Sequence, residues 1–196
     1  MTQQQVMSRF PKTVTLNDGR KIEIRAMTAK DREAILEFAR ALPEEDLLFL
    51  RVDLTEPAAV DEWVANLERG LSTSLLAYDG ATLAGYATVH VNPARWTRRV
   101  GEIRVNAGRL YRSKGLGRNL TAQIFDIARA LHLKKLTATM TVDQSGAQAA
   151  FRRLGFVPEA VLADYVEDRK GMSRDLVIMC YDIDGLTEQM DEPLRV

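Results

Sequence analysis

The stretch Arg112-Ser113-Lys114-Gly115-Leu116-Gly117 sets two glycines one residue apart among basic side chains, with Arg118 next in line. Glycine admits positive φ and lets backbone amides approach a ligand without a Cβ in the way. A helix that opens directly after such a loop offers free N–H groups and the positive end of its dipole, which together suit phosphate. Arg112, Lys114 and Arg118 add positive charge around it, so the pattern fits a multiply charged anion such as a pyrophosphate. A dinucleotide fingerprint needs a third glycine, and Leu120 stands in its place. A P-loop needs a long glycine spacing followed by Gly-Lys, whereas Ser113-Lys114-Gly115 has the order reversed. What remains is R-x-x-G-x-G between a strand and a helix, or a solvated turn that uses its glycines for geometry alone.

A second pattern lies just upstream. Glu102, Arg104 and Asn106 alternate with Ile103, Val105 and Ala107. A central strand covered on both faces reads apolar throughout, so a polar face implies that one side opens into a wet cleft. A surface strand with Glu102 paired to an arginine fits the same alternation. His90 reads as a sheet residue with satisfied hydrogen bonds, and Cys180, inside LVIMCYD, as a buried and inert thiol. One cysteine excludes an internal disulfide and a Cys-based zinc site, and two histidines make a multi-His metal centre a poor fit. No metal is expected.

These residues need a frame. Asn17-Asp18-Gly19 between β-prone runs predicts a hairpin. Thr28 as an N-cap, with Asp31 in the first turn, predicts a helix to about Ala41, closed by Pro43. Pro57 near an N1 position predicts a second helix, from after Thr55 to about Arg69. Two strands around Asp79-Gly80 and a third over RRVGEIRVNA follow. Leu116, Leu120, Ile124, Ile127 and Leu131 then form an apolar stripe at helical spacing. KKLTATMTV reads as a buried strand, SGAQAAFRRLG as a helix ended by Gly155, and FVPEAVLADYV and RDLVIMCYDI as closing strands. The order β-β-α-α-β-β-β-α-β-α-β-β predicts an α/β fold: a mixed sheet, with one parallel crossover, flanked by helices on both faces. Residues 13–185 form the expected domain, with 1–12 and 186–196 as tails.

The whole chain is consistent with one domain: 196 residues, 46% hydrophobic and 28% charged. Lys+Arg and Asp+Glu balance at 27 each, so no global charge favours nucleic acid or an anionic membrane, and neither is expected as a partner. The first residues lack the apolar core of a signal peptide, and no run approaches the roughly 18 apolar residues that span a bilayer. A cytoplasmic location is the expectation. From Glu44 to Glu62 the acidic residues Glu44, Glu45, Asp46, Asp53, Glu56, Asp61 and Glu62 outnumber Arg51, which reads either as a solvated helix surface or as an acidic lip for a cationic amine.

Residues 112–117 match the [QR]-x-x-G-x-[GA] loop that binds the pyrophosphate of acetyl-CoA in the GCN5-related N-acetyltransferase (GNAT) superfamily, and the run from Gln144 to Leu154-Gly155-Phe156 is similar to that family's second motif. The opening LNDGRKIEIRAMTAKD resembles bacterial protein-lysine acetyltransferases. The resemblance spans roughly residues 14–184. It implies an acetyl-CoA-dependent N-acetyltransferase acting on a primary amine, of a small molecule or of a protein lysine or N-terminus, by direct transfer; a non-catalytic acyl-CoA-binding sensor is the alternative. Carried over by position, Val105, Asn106 and Ala107 would pair with pantetheine. Arg112, Ser113, Lys114, Gly115, Leu116, Gly117 and Arg118 would hold the phosphates, Gln144 and Phe151 would complete the CoA site, and Glu102 would drain the amine's proton. Two residues depart from the pattern: Gln144 replaces the usual Asn, and Phe151 the Tyr that often protonates the leaving thiolate. Tyr165, Tyr111 or water are the substitutes at hand. Edge strands of the resembled fold often pair, which allows a homodimer.

Overall fold

A computed structural model describes residues 2–47, 50 and 52–183. Its centre is an eight-stranded sheet in the order β1-β2-β3-β4-β5-β6-β8-β7. The strands are β1 (Lys12–Thr15), β2 (Lys21–Ala26), β3 (Ser72–Asp79), β4 (Thr82–Val91), β5 (Val100–Ala107), β6 (Lys135–Thr141), β7 (Val157–Glu167) and β8 (Ser173–Asp182). Among the described residues only β5 and β6 pair in parallel. This is the predicted mixed sheet, and the hairpins at Asn17-Asp18-Gly19 and Asp79-Gly80 fall where the turn residues put them, with Gly19 and Gly80 at positive φ.

The helices are α1 (Gln3–Met7), α2 (Arg32–Arg40), α3 (Glu44–Leu47), α4 (Pro57–Glu68), α5 (Leu116–Ala130) and α6 (Ser145–Arg153). Strands β3 and β4 are buried on both faces, so their alternate residues feed two cores. Leu75, Ala77, Ala87 and Val89 join α1, α5 and Phe156 on one side; Leu76, Leu83 and Tyr86 join α2 and α4 on the other. Helix α5 places Leu116, Leu120, Ile124 and Ile127 wholly out of solvent. At about 1.5–3 kcal/mol for each buried side chain, this stripe anchors the helix whose start forms the glycine loop.

Two differences from the sequence reading stand out. The segment 1–12 carries α1, capped by Thr2 with Gln5 and holding Val6 at 2% exposure in the core beside α5. With a single buried apolar residue in five, it has no periodicity to read. Thr28 stands at the N-cap of a 3-10 turn (Ala29–Asp31), not of α2 itself, whose N-cap is Asp31; the Asp31 carboxylate folds back and accepts from the Thr28 N–H (2.8 Å) and hydroxyl (3.0 Å). The other expected tail, 186–196, lies outside the described residues.

Candidate active site

The parallel pairing of β5 with β6 runs only from Val100↔Lys135 to Glu102↔Thr137. Beyond Glu102 the two strands share no register, while β5 stays paired to β4 as far as Ala107. The result is a V-shaped gap with Val105, Asn106 and Ala107 along one wall. The Asn106 side chain is hydrogen-bonded to the buried Tyr86 phenol, whose pKa burial raises. At the wide end of β6, Thr141 Oγ1 is a buried hydroxyl with no partner among the described residues, so this wall retains a group able to bond a ligand.

The glycine loop closes the same end of β5. Gly115 is the N-cap of α5 at φ 91°, a conformation that favours glycine. A Cβ at Gly117 would meet only Val105 Cγ1, at 3.9 Å, so the space in front of the helix start is open. The N–H groups of Leu116, Gly117 and Arg118 are the first of the helix and have no preceding turn to bond. Ser113 is left-handed as well, at φ 58°. A non-glycine residue there costs about 1 kcal/mol, and alternating backbone handedness of this kind turns successive N–H groups into one concavity.

The basic residues of the loop divide in their duties. Arg112 grips Asp46 of α3 through both terminal nitrogens (2.6 and 3.0 Å) and donates from Nε to the Ala107 carbonyl (3.0 Å). Lys114 pairs with Asp18 (3.0 Å), and this bond holds the Asp18 carboxyl below its ordinary pKa. The Asn17 N–H donates to the Lys114 carbonyl (3.0 Å), so the β1–β2 turn buttresses the loop. Among the described residues only Arg118 of the three has no carboxylate partner. The sequence presented three mobile cations; the structure uses two of them to set the loop.

On the α4 side of the sheet lies a cleft of about 540 Å³ whose lining includes Glu62, Trp63, Tyr86, His90, Glu102, Arg104 and Thr137. The predicted wet face is there: Glu102 and Arg104 point into it. Arg104 orients the Glu102 carboxylate from 3.2 Å, and the Thr139 hydroxyl lies 3.4 Å from the same oxygen. Opposite Glu102 in register stands His90, whose Nδ1 is 2.7 Å from Ser72 Oγ. His90 is therefore hydrogen-bonded, as expected, and it also lines the cleft beside Glu102. Register alone brings that pair together, and no spacing in the sequence announces it. The acidic lip largely dissolves: Asp46 binds Arg112, Asp53 binds Arg169 and Asp61 binds Arg32, and of the described acidic residues from Glu44 to Glu62 the cleft takes only Glu62.

The family model for the acetyltransferase (GNAT) family matches residues 33–156. The chain belongs to the GNAT family. It is thus an N-acetyltransferase by family, and its sheet is the GNAT sheet. Among solved structures it resembles the ribosomal-protein-alanine N-acetyltransferase of Brucella melitensis, at 25% identity and TM-score 0.72 over 81% of this chain and 98% of that one. It also resembles the GNAT domain of S. lividans PAT (16%, TM-score 0.73, 87% and 96%) and yncA of Salmonella typhimurium, solved with its cofactor acetyl-CoA (21%, TM-score 0.72, 83% and 94%). Among curated proteins no sequence matches.

The departures from the GNAT motif have structural explanations. Phe151 packs edge-on against Phe156 (ring centroids 5.0 Å apart) at the border of the core. Gln144 is the N-cap residue of α6, and its Oε1 accepts the Thr141 N–H at 3.0 Å, which shapes the β6–α6 turn. Tyr111 donates its hydroxyl to Asp79 (3.1 Å); burial and that bond both raise its pKa, which makes it a poor proton donor for a thiolate. Tyr165 is 65% exposed on β7. Burial, then the bond to Glu159, pushes the Cys180 thiol up to about 12, which leaves it inert near neutral pH. Among the described residues no group of His, Cys, Asp or Glu could hold a metal ion, and no helix is long and apolar enough to cross a membrane.

Proposed function

We propose that the protein transfers the acetyl group of acetyl-CoA directly to a primary amine bound in the α4-side cleft. The observation that carries this reading is the meeting of two spaces at Glu102. The gap between β5 and β6, with the glycine loop at its open end, runs to Glu102↔Thr137, and both residues also line the cleft.

In this reading the first N–H groups of α5 and the Arg118 guanidinium hold the pyrophosphate. The backbone of Val105, Asn106 and Ala107, free of β6, pairs with the pantetheine, and Gln144 and Phe151 border it from α6. Glu102 takes the proton that an ammonium must lose before its nitrogen can attack the thioester carbonyl. The C–N bond forms, the C–S bond breaks, and the thiolate takes up a proton in exchange for the second one lost from nitrogen. A backbone N–H of the open β5 edge polarises the carbonyl oxygen. With Phe151 in the core and Tyr111 committed to Asp79, water is the proton source for a thiol of ordinary pKa about 8.5.

Calorimetric titration with acetyl-CoA, beside ATP and NAD, tests the reading. Acetyl-CoA alone should bind, and Gly117→Trp should abolish binding without unfolding the chain, since the space at Gly117 is empty. Unchanged affinity in Gly117→Trp would sink the loop assignment.

A further inference from the structure

The connection between β4 and β5, residues 92–99, reads Asn-Pro-Ala-Arg-Trp-Thr-Arg-Arg, and every one of its residues is exposed. Trp96 is 98% exposed, the most exposed large apolar side chain among the described residues. No acidic residue occurs from Val91 to Gly101. Among the described residues Arg95, Arg98 and Arg99 have no carboxylate partner, whereas Arg25, Arg32, Arg104, Arg112, Arg169 and Arg174 each have one.

The loop nevertheless has a fixed shape. Asn92 Oδ1 accepts the Ala94 N–H (2.8 Å), the Thr97 N–H reaches the Ala94 carbonyl (3.1 Å), and the Val100 N–H reaches the Thr97 carbonyl (2.8 Å). An ordered turn that displays an indole and three uncompensated guanidiniums presents the residue types that dominate protein–protein hot spots. Its base belongs to the cleft, because Asn92, Pro93 and Thr97 line it. Arg99 also borders a second hollow of about 330 Å³, where Arg129 is paired with Asp126.

We infer that this loop docks an acidic polypeptide segment that carries the acceptor amine, so that the acceptor is a protein or peptide. The inference rests on the acetyltransferase reading above and narrows its substrate. Charge complementarity selects the partner: Glu62 and Glu102, offset only by Arg104, leave the cleft lining net negative and attract the ammonium, and the arginines of the loop attract carboxylates a few residues away along the same chain. The segment reaches the loop because Asn92, Pro93 and Thr97, which flank Trp96 in sequence, line the cleft in which the amine is seated. A nucleic acid fits less well, because the two glutamates at the cleft repel its backbone and the chain has no net positive charge.

Two peptides with the same reactive amine, one flanked by Asp and Glu and one by Gln and Ser, provide the test, with a simple alkylamine as third acceptor. The wild type should show a KM about tenfold lower for the acidic peptide, and the advantage should fade with salt. Trp96→Ala, and Arg95, Arg98 and Arg99 together changed to Ala, should erase that difference and leave the KM for acetyl-CoA and for the alkylamine unchanged. Emission of the wild-type tryptophans should shift to the blue with the acidic peptide, since Trp63 is already buried and Trp96 is the one exposed indole. Equal KM for the two peptides, a preference that survives the loop variants, or loop-dependent binding of single-stranded RNA in place of the acidic peptide would each overturn the proposal. If the alkylamine is acetylated in those cases, the acetyltransferase reading still stands; if acetyl-CoA fails to bind, that reading falls first.

Discussion

Glu102 is held by neighbours that would make poor spectators. Arg104 fixes one carboxylate oxygen from the next position on the same strand face, Thr139 approaches from β6, and His90 stands opposite on β4. If the carboxylate accepts the amine's proton, Glu102→Gln keeps the shape and removes the acceptor. The expected loss is about 10²- to 10³-fold in kcat/KM near pH 7, with the affinity for acetyl-CoA unchanged. The loss has a predictable pH dependence. Without a base, the rate follows the free-amine fraction, which rises about tenfold per pH unit below an amine pKa of about 10.4, so the variant gains on the wild type as pH rises. A deficit that stays constant from pH 7 to pH 9.5 would show Glu102 to be a positioning group. At this scale the sequence disclosed the loop and the polar strand face. It did not disclose that Arg112 has Asp46 as its partner, because that contact joins residues 66 apart and depends on α3 folding over the loop. Nor could it show Ser113 in a left-handed conformation, since nothing in the residue type demands one.

The elements behave similarly: local signals were legible and long-range ones were not. Turn residues at Asp18-Gly19 and Asp79-Gly80, the Pro57 start of α4 and the stripe of α5 are written in neighbouring residues, and each lies where the pattern puts it. Helix α1 depends on a partner elsewhere, the α5 surface, and the Asp31 carboxylate that shapes the 3-10 turn before α2 is held in turn by Arg25 and by the distant Tyr78. Arg25 also explains why Asp31, with its side chain only 6% exposed, is tolerated next to the core. Burial by itself would push the Asp31 carboxyl up, but the hydrogen bonds from Arg25 and from the Thr28 N–H and hydroxyl outweigh it and hold the pKa below the ordinary value. A carboxylate with a lowered folded-state pKa stabilises the protein above its unfolded pKa, about 3.9, and loses that contribution as pH falls through the folded value. Asp31→Asn should therefore cost about 2 kcal/mol at pH 7, with Arg25 partly solvated and still able to reach water. Urea unfolding at pH 7 and near pH 3 measures it. The gap should shrink at the lower pH, and a gap of equal size at both would assign the effect to lost packing in place of the ion pair.

At the scale of the molecule, the sheet consists of two blocks, β1 to β5 and β6 to β8, that meet along three residue pairs from Val100↔Lys135 to Glu102↔Thr137. A central seam of that length is short for a sheet of eight strands, and where it ends the strands leave the gap beside the glycine loop. Function here is set against continuity of the sheet: each further β5–β6 hydrogen bond would close the space that the proposed pantetheine occupies. If the proposed ligand sits across the gap, it bonds to the free edge of β5 and fills the wedge, so its binding energy is also energy of holding the two blocks together. By mass action, acetyl-CoA at about 100 times its dissociation constant adds about 2.7 kcal/mol to unfolding, which for a chain of this size raises Tm by roughly 5–10 °C. Gly117→Trp should leave the Tm without ligand within about 2 °C of the wild type, because no atom but Val105 Cγ1 lies within 4 Å of its new Cβ, and should erase the increment from acetyl-CoA. Scanning calorimetry of both proteins with and without acetyl-CoA separates the two effects. An equal increment in the variant would place the ligand away from the glycine loop, and a variant that melts well below the wild type in its absence would mean that Gly117 serves the fold before it serves the ligand.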